Sequence, residues 1–193
     1  MIYLLRHGET EFNIAKRFQG ALDSPLTALG LAQASAMGQR LRGLIDPSNT
    51  ALFASSRGRA IATAQLVAQA AGIAVDPIIE DGFAEISMGS WDGRTGAEID
   101  ADTDGEWSRM DRHSWFFETP DGERYDGFEA RLGAALARAK AHPARDCVIV
   151  SHGVSIRVLR RLHCGMERDV ALAMPVPHGV IYRLDDGAFT EMG

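Results

Sequence analysis

The segment Ile2-Tyr3-Leu4-Leu5-Arg6-His7-Gly8 predicts a short apolar strand that runs directly into a His-Gly pair. The same pattern returns far downstream, in Cys147-Val148-Ile149-Val150-Ser151-His152-Gly153. Four consecutive apolar residues are typical of a strand that is buried on both faces, as in a parallel sheet. Ligands of open α/β sheets bind beyond the carboxyl ends of such strands. We therefore expect a site at the two histidines, where the glycines would let a ligand approach the backbone closely.

Strand and helix patterns alternate around these two segments, which predicts an α/β fold with a parallel sheet. Buried strands are expected at 2–5, 51–54 and 147–150, and a peripheral extended segment at 73–79. Helices are expected at 28–44, 58–71 and 128–141 and after the second His-Gly pair, and a terminal hairpin at 180–184 and 189–192.

Residues 81–123 are the least regular part of the chain and are rich in Gly and Asp. All three tryptophans lie there, and a long irregular segment between regular elements more often covers a substrate than links domains. The sequence shows no repeat, low-complexity tract or domain linker. We therefore predict one domain over residues 1–193, with a substrate-covering insertion near 86–123.

Composition limits the classes of partner. The chain has 193 residues, of which 46% are apolar, so it can bury a sizeable core. Its formal net charge of −6 argues against nonspecific nucleic-acid binding, and no apolar stretch is long enough for a membrane span or a signal peptide. Cys147 and Cys164 do not form a CxxC pair, which predicts reduced thiols in a cytoplasmic protein. A monomer and a homodimer fit the sequence equally well.

Several residues near the predicted strand ends have the chemistry that phosphoryl transfer needs. Such a site requires a nucleophile, cations and hydrogen-bond donors for the phosphoryl oxygens, and an acid for the departing oxygen. Arg6 and His7 offer a donor fork beside an imidazole, and His152 ends another strand. Arg59 opens a helix, and Glu85 lies in a loop whose apolar neighbours would favour its protonated form. Taken singly, each is as well explained as an ordinary polar residue of a strand end, helix or loop.

A resemblance to a known family adds to this interpretation. Leu5-Arg6-His7-Gly8-Glu9-Thr10 resembles the RHGET signature of the histidine phosphatase superfamily, the phosphoglycerate mutase-like proteins. Further blocks follow in the family's order and cover most of the chain. They are Asn13, Gln19-Gly20, the segment 55–64 with Ser55 and Arg59, the segment 85–93 that begins at Glu85, and Val150-Ser151-His152-Gly153 followed by Ile156-Arg157. The resemblance implies a three-layer α/β/α sandwich with a mostly parallel central sheet.

Three departures from the family's pattern fall outside the central groups. Ser56 and Arg57 stand where the family has Pro and Leu, which adds a cation beside Arg59. Residues 121–124 are Asp-Gly-Glu-Arg where many members have Gly-Gly-Glu-Ser. His178, after Pro177, stands where Asn is common. Each of these changes is expected to alter the rim of the pocket rather than the reacting groups.

The resemblance also implies a mechanism. His7 attacks phosphorus through a neutral imidazole whose other nitrogen is held by a backbone carbonyl, and becomes a phosphohistidine. Arg6, Arg59 and His152 bind the phosphoryl oxygens, with a protonated His152 stabilising the charge, and Asn13 and Gln19 add neutral donors. Glu85 protonates the leaving oxygen and, in a phosphatase, later takes a proton from the attacking water.

No metal and no cofactor are expected. The six histidines include no HExxH or HxH spacing, and the chain has neither a GxxxxGK[ST] loop nor a GxGxxG after a strand. The substrate is expected to be a small phosphorylated metabolite. The rim of its pocket is predicted to include Arg109, Arg112, His113 and His178, near the aromatic cluster Trp115-Phe116-Phe117.

Three functions stay open at this level. The first is a phosphomonoesterase of the phosphatase branch of the family, acting on small metabolites. The second is a phosphoglycerate mutase that depends on 2,3-bisphosphoglycerate and uses the same phosphohistidine. The third is a phosphate-binding regulatory module that has lost catalysis, which the presence of all five central residues disfavours.

Overall fold

A computed structural model describes residues 1–192 and shows a six-stranded sheet in the order β3-β2-β4-β1-β5-β6. The strands are β1 (Ile2–Arg6), β2 (Thr50–Ala54), β3 (Ile78–Ile79), β4 (Asp146–Ser151), β5 (Ile181–Asp185) and β6 (Ala188–Met192). The pairs β3–β2, β2–β4 and β4–β1 are parallel. Strand β5 pairs antiparallel with both β1 and β6, so it is the one strand of the six that runs in the opposite direction. The predicted terminal hairpin is present, with Asp186 and Gly187 at positive φ in its turn.

Helices cover both faces of this sheet. They are α1 (Glu11–Ile14), α2 (Ala28–Leu41), α3 (Gly58–Ala71), α4 (Gly96–Asp102), α5 (Tyr125–Ala141), α6 (Gly153–Cys164) and α7 (Arg168–Ala173). Residues Ile2 and Leu4 of β1 pack in the core cluster that includes α5 and α6. Tyr3 and Leu5 of the same strand pack in the opposite cluster, which includes α2 and α3. This alternation buries both faces of the strand, so the predicted three-layer α/β/α sandwich is confirmed.

Some element boundaries differ from the sequence-based expectation. The helix predicted at 28–44 ends at Leu41, and a turn over residues 42–44 follows. The helix predicted at 128–141 begins earlier, at Tyr125, whose buried ring packs edge-on against Phe117 with 5.0 Å between centroids. Only Ile78–Ile79 of the extended segment 73–79 forms a strand, in the peripheral position expected for a segment that contains Pro77.

The irregular middle segment consists of 3₁₀ turns around α4. Trp107–Arg109 and Trp115–Phe117 are two such turns, and the Trp107 and Trp115 rings pack edge-on with centroids 5.6 Å apart. Phe18, from the N-terminal loop, packs on Trp115 at 4.5 Å. The insertion is therefore joined to the loop that follows His7. None of the helices within residues 1–192 is both long and apolar enough to cross a membrane.

Candidate active site

Three neighbouring strands end side by side, and each is followed by a polar residue of the site. His7 follows β1, His152 follows β4 and Ser55 follows β2. The His7 amide donates to the Ser151 carbonyl at 3.0 Å, and the Ser55 amide donates to the Val150 carbonyl at 3.0 Å. The backbone hydrogen bonds between neighbouring strands therefore continue as far as the site. The two imidazole rings lie 5.2 Å apart between centroids. The expected convergence of the two strand ends is therefore observed.

The His7 ring is oriented by the backbone of the next residue. Its Nδ1 lies 2.7 Å from the Gly8 carbonyl oxygen, which can only accept a hydrogen bond, so Nδ1 carries the hydrogen. The lone pair is then on Nε2. Burial, followed by the charges of Arg6 and Arg59, lowers the pKa of His7 well below its usual value of 6.5. His7 is thus a neutral imidazole with a free lone pair, as nucleophilic attack requires.

Gly8 is required for packing rather than for approach of a ligand. A Cβ at this position would lie 2.3 Å from the Gly30 carbonyl oxygen, so the loop after β1 sits backbone to backbone on the start of α2. The Gly8 amide also donates to the Thr63 hydroxyl of α3 at 3.0 Å. The second glycine differs, because Gly153 lines the cavity and its Cβ would meet only ordinary contacts. Close approach of a ligand therefore stays a prediction for Gly153, whereas Gly8 meets other backbone.

His152 is held through the opposite nitrogen. Its Nε2 lies 2.7 Å from the Ser55 hydroxyl, which also accepts from the Arg57 amide at 3.3 Å. Among the described residues, the Ser55 hydroxyl has one possible acceptor, which is Nε2 of His152. The hydroxyl therefore donates its hydrogen to Nε2, and the hydrogen of the ring is on Nδ1. That Nδ1 is buried and has no partner within residues 1–192. Burial and nearby cations lower the pKa of His152 well below 6.5.

Burial and nearby cations therefore favour a neutral His152 ring with one unpaired N–H, rather than the protonated ring that the resemblance implies for the reaction. His152 is also fully buried beside His7 and does not form part of the cavity wall. No role for Ser55 follows from the sequence pattern alone, although its place directly after a buried strand marks it as a strand-end residue.

Two guanidinium groups stand beside the histidines. Arg59, only 2% exposed, donates from Nη1 to the Leu22 carbonyl at 2.6 Å and faces the Asp23 carboxylate at 3.2 Å. Asp23 also accepts from the backbone amides of Gly58 and Arg59. The same carboxylate therefore caps the start of α3 and positions the Arg59 side chain. Arg6 donates to the Val176 carbonyl at 2.7 Å, and burial lowers its pKa to about 10. Both groups remain cationic at neutral pH.

Glu85 lies at the N-terminus of α6 rather than in apolar surroundings. Its carboxylate accepts from the amides of Ile86, Val154 and Ser155 at 3.1–3.2 Å and from the Ser155 hydroxyl at 2.9 Å. Four donors, three of them backbone amides, fix the orientation of this side chain. The apolar surroundings expected for Glu85 are therefore not observed, because backbone amides and one hydroxyl hold and orient its carboxyl group.

These groups open into a cavity of about 310 Å³. Of the predicted site residues, the lining includes Arg6, His7, Asn13, Gln19, Arg59 and Glu85. Other lining residues carry apolar or cationic side chains that the sequence did not assign to the site, notably Phe18, Met88, Val154, Arg17 and Arg157, together with Trp115 and Phe116 of the predicted aromatic cluster. The cavity therefore has a polar end at the histidines and a largely apolar outer wall.

The predicted rim residues are not brought together. His178 packs close to His7, at 5.6 Å between ring centroids, and burial lowers its pKa to about 4. Arg109 and Arg112 are exposed and absent from the cavity lining, and His113 lines a separate cavity with Asp111 and Asp169. The segment turns its aromatic side chains inward and leaves these charged residues in solvent.

The part of the chain that the structure describes contains no group of three or more His, Cys, Asp or Glu side chains arranged to hold a metal ion. The donors that face the cavity are instead guanidinium and amide groups, which suit an anion. A tetrahedral oxyanion bound between Arg6 and Arg59 would face the Nε2 of His7.

Comparison with known proteins agrees with this geometry. The sequence model of the histidine phosphatase superfamily (branch 1) matches residues 2–188. The chain therefore belongs to the histidine phosphatase superfamily, as its motifs and its fold indicate.

Individual relatives carry two kinds of name. A protein of Proteus mirabilis (strain HI4320) described as "Probable phosphoglycerate mutase GpmB" is 35% identical over 190 residues, which cover 95% of this chain and 84% of that protein. The alpha-ribazole phosphatase of Shigella flexneri is 25% identical, with a TM-score of 0.76 over 98% of this chain and 93% of the other. A mycobacterial glucosyl-3-phosphoglycerate phosphatase is 26% identical, with a TM-score of 0.74 over 94% and 88%.

Proposed function

We propose that this protein is a phosphomonoesterase that hydrolyses small phosphorylated metabolites, without a metal, through a phosphohistidine on His7. The observation that carries the proposal is the hydrogen bond from His7 Nδ1 to the Gly8 carbonyl. It leaves the Nε2 lone pair of a buried, neutral imidazole at a cavity that two guanidinium groups also line. A cavity of about 310 Å³ suits a small metabolite better than a polymer.

In the first half-reaction, His7 Nε2 forms a bond to phosphorus while the bond from phosphorus to the ester oxygen breaks. Arg6 and Arg59 stabilise the negative charge on the equatorial oxygens. The unpaired Nδ1–H of His152 lies next to the nucleophilic ring but behind the cavity wall, so it would donate to one of these oxygens only if substrate binding opened a path to it. Asn13 and Gln19 line the same cavity and add neutral donors.

The leaving oxygen needs a proton, and Glu85 is the group suited to deliver it. In the proposed reaction, the proton arrives with the substrate. A phosphomonoester has its second ionisation near pH 6, so it enters in part as the monoanion and transfers its proton to Glu85. The proton then passes to the ester oxygen as the bond to phosphorus breaks.

In the second half-reaction, Glu85 takes a proton from a water molecule. The water oxygen forms a bond to phosphorus and the bond to His7 Nε2 breaks. Glu85 then returns its proton to the inorganic phosphate, which leaves as the monoanion. The four donors that hold the Glu85 carboxylate fix its orientation for both proton transfers. Both halves use the same few residues in alternating protonation states.

The test is release of inorganic phosphate from a panel of phosphomonoesters in the presence of EDTA. We expect robust release from at least one alkyl and one aryl phosphate. Release that EDTA abolishes would contradict metal independence, and silence across the panel would contradict the phosphatase assignment.

A bisphosphate-dependent phosphoglycerate mutase is the second candidate, and the names of the 35% identical relatives favour it. The same phosphohistidine would return the phosphoryl group to a bound glycerate instead of water. Conversion of 3-phosphoglycerate to 2-phosphoglycerate, assayed with saturating bisphosphate, separates the two reactions. The cytoplasmic location and the monomeric or homodimeric state stay predictions.

A further inference from the structure

The segment that carries Glu85, residues 82–87, is held by a guanidinium group outside the cavity. Arg131 of α5 donates from Nη1 to the carbonyl oxygens of Gly82 and Ala84, at 3.1 and 2.8 Å. Its Nη2 donates to the carbonyl oxygen of Glu85 itself at 3.2 Å. Arg131 is not among the residues that line the cavity, so it reaches the site only through the Glu85 segment.

Glu123 completes this arrangement. Its carboxylate makes a two-point contact with Arg131, with Oε1 2.7 Å from Nε and Oε2 2.8 Å from Nη2. The Glu123 amide donates to the carbonyl oxygen of Ser87 at 2.8 Å, so the pair holds the Glu85 segment at both ends. A guanidinium has five donors in a fixed planar arrangement, and the five contacts of Arg131 use all of them.

The Glu85 segment also packs closely on α5. A Cβ at Gly82 would lie 2.7 Å from the Cβ of Ala135, one helical turn beyond Arg131, and 3.1 Å from the Arg131 carbonyl oxygen. The guanidinium of Arg131 lies over the buried Phe128 ring, 4.7 Å from its centroid. The Arg131 side chain is therefore fixed both on its flat face and along its edge, and α5 sets the position of the segment.

The carboxyl group of Glu85 is held separately, by the first turn of α6. The amides of Val154 and Ser155 both donate to it at 3.1 Å. Proton transfer requires this carboxyl within hydrogen-bond distance of the ester oxygen, and a misplacement of about 1 Å can lower the rate on the order of 10²-fold. Resting on the proposed phosphatase function, we propose that Arg131, paired with Glu123, is a positioning residue for Glu85, because it fixes the backbone from which the carboxyl reaches the leaving oxygen.

Arg131→Lys tests this role, because a lysine keeps the charge beside Glu123 but cannot bind three carbonyls and a carboxylate at once. We expect kcat/KM for alkyl phosphates to fall by about 10–10²-fold, because their leaving oxygen depends on Glu85. An activated aryl phosphate should lose less than about threefold, since its leaving group needs little protonation. In a Glu85→Gln background, the same substitution should cost nothing further, because the proton donor that Arg131 positions is already absent.

Hydrogen exchange gives a second measurement, which needs no turnover. The amides of Val154 and Ser155 lie in the first turn of α6 and have no partner within the helix, so their protection from exchange depends on the Glu85 carboxyl. We expect both amides to exchange about tenfold faster in Arg131→Lys, which corresponds to the loss of one hydrogen bond.

Arg161→Lys is the matched control. Arg161 of α6 forms an ion pair with Glu129 of α5, and its side chain is 29% exposed, against 26% for Arg131. It donates to no residue of the Glu85 segment, so this variant should keep alkyl phosphate turnover and both exchange rates. Thermal denaturation checks the folding of each variant. If Arg131→Lys fails to fold, Glu123→Gln decides, and it should show a smaller loss with the same preference for alkyl phosphates.

An equal loss for alkyl and aryl phosphates would overturn the proposal, since Arg131 would then support the fold in general. It would also be overturned by unchanged alkyl turnover, by a loss that persists in the Glu85→Gln background, or by unchanged exchange of the Val154 and Ser155 amides. Failure of the proposed function looks different. No phosphomonoester would then be hydrolysed, while the two amides would still exchange faster in Arg131→Lys.

Discussion

The ends of β1 and β4 carry the same His-Gly pair but present opposite edges of the imidazole to the site. His7 is held through Nδ1, by the Gly8 carbonyl, and offers the lone pair of Nε2. His152 is held through Nε2, by the Ser55 hydroxyl, and offers the hydrogen of Nδ1. Both rings are buried, and both have their pKa lowered well below 6.5. They share one tautomer and one charge state, and only the orientation differs.

This difference shows that the partner of a histidine, rather than its type or its burial, determines its chemical role. In the proposed reaction, the bond to a backbone carbonyl leaves Nε2 of His7 free to act as the nucleophile. The bond to a serine hydroxyl leaves Nδ1–H of His152 without a partner, so that it can act as a donor. Neither role requires a charged imidazole, which suits a region where Arg6 and Arg59 already supply positive charge.

The largest effect is expected from His7→Ala, which removes the nucleophile. Hydrolysis of an aryl phosphate should fall on the order of 10⁴-fold or more, because no second nucleophile faces the cavity. His142→Asn is a suitable control, since His142 lies after α5 and its Nδ1 accepts from the Ala144 amide, a contact that an asparagine can reproduce. Steady-state kcat/KM measures both variants. A His7→Ala protein within tenfold of wild type would remove the distinction between the two histidines.

Glu85→Gln should have the next largest effect, and the effect should depend on the leaving group. Turnover of alkyl phosphates should fall by about 10²–10⁴-fold, because the ester oxygen loses its proton donor. An activated aryl phosphate should lose less, since its leaving group needs little protonation. Rates for a series of leaving groups in both proteins check this. An equal loss across the series would show that Glu85 acts by some means other than proton transfer.

Ser55→Ala tests the assignment of His152 directly and should cost about tenfold in kcat/KM, the value of one hydrogen bond. Without the hydroxyl, the ring hydrogen of His152 is free to move to Nε2. Ser56→Ala is the matched control, because Ser56 bonds to Asp81 instead. Nitrogen-15 NMR reports the tautomer in each protein. Finding Nε2 of His152 protonated in the wild type would contradict the orientation described above.

A smaller effect is expected on acid stability. Burial lowers the pKa of His178 to about 4, so the folded protein holds it neutral while the unfolded chain binds a proton below about pH 6.5. His178 therefore does not reduce the free energy of unfolding above pH 6.5. As the pH falls from 6.5 towards 4, this free energy decreases by up to about 1.4 kcal/mol per pH unit.

The variant His178→Gln should therefore lose less stability than wild type between about pH 6.5 and pH 5. Urea denaturation at several pH values gives the free energy of unfolding of both proteins. His7 and His152 titrate with the same sign and remain in the variant, so a smaller dependence on pH should persist. Identical slopes for the two proteins would show that His178 is not held neutral.

Much of the fold follows from the sequence, because buried strands have a strong local signature. The apolar runs before His7 and His152 place β1 and β4, and the rule that ligands bind at the carboxyl ends of such strands puts both histidines at a site. That the two strands are neighbours is shown only by the structure. The boundaries of α2 and α5 were less predictable, because the apolar pattern continues past Leu41 and because Tyr125 is fixed by packing on Phe117.

The site was predictable in its members but not in their environments. The partner of His152 lies 97 residues away along the chain, and Val154 and Ser155, which hold Glu85, lie 69 and 70 residues away. The expected apolar surroundings of Glu85 came from its sequence neighbours, whereas the N-terminus of α6 dominates in space. Arg109 and Arg112 were wrongly expected at the rim of the pocket for a similar reason. Composition does not show which side of an irregular segment faces the cavity.

The central claim is that His7, and not His152, carries the phosphoryl group, and trapping the phosphoenzyme tests it most directly. The protein is mixed with a reactive aryl phosphate, quenched within one turnover, and digested with trypsin under alkaline conditions. Cleavage after Arg6 and Lys16 separates His7 from the peptide between Arg145 and Arg157, which contains His152. We predict phosphate on the His7 peptide, attached at Nε2. Phosphate on the His152 peptide, or at Nδ1 of His7, would contradict the account.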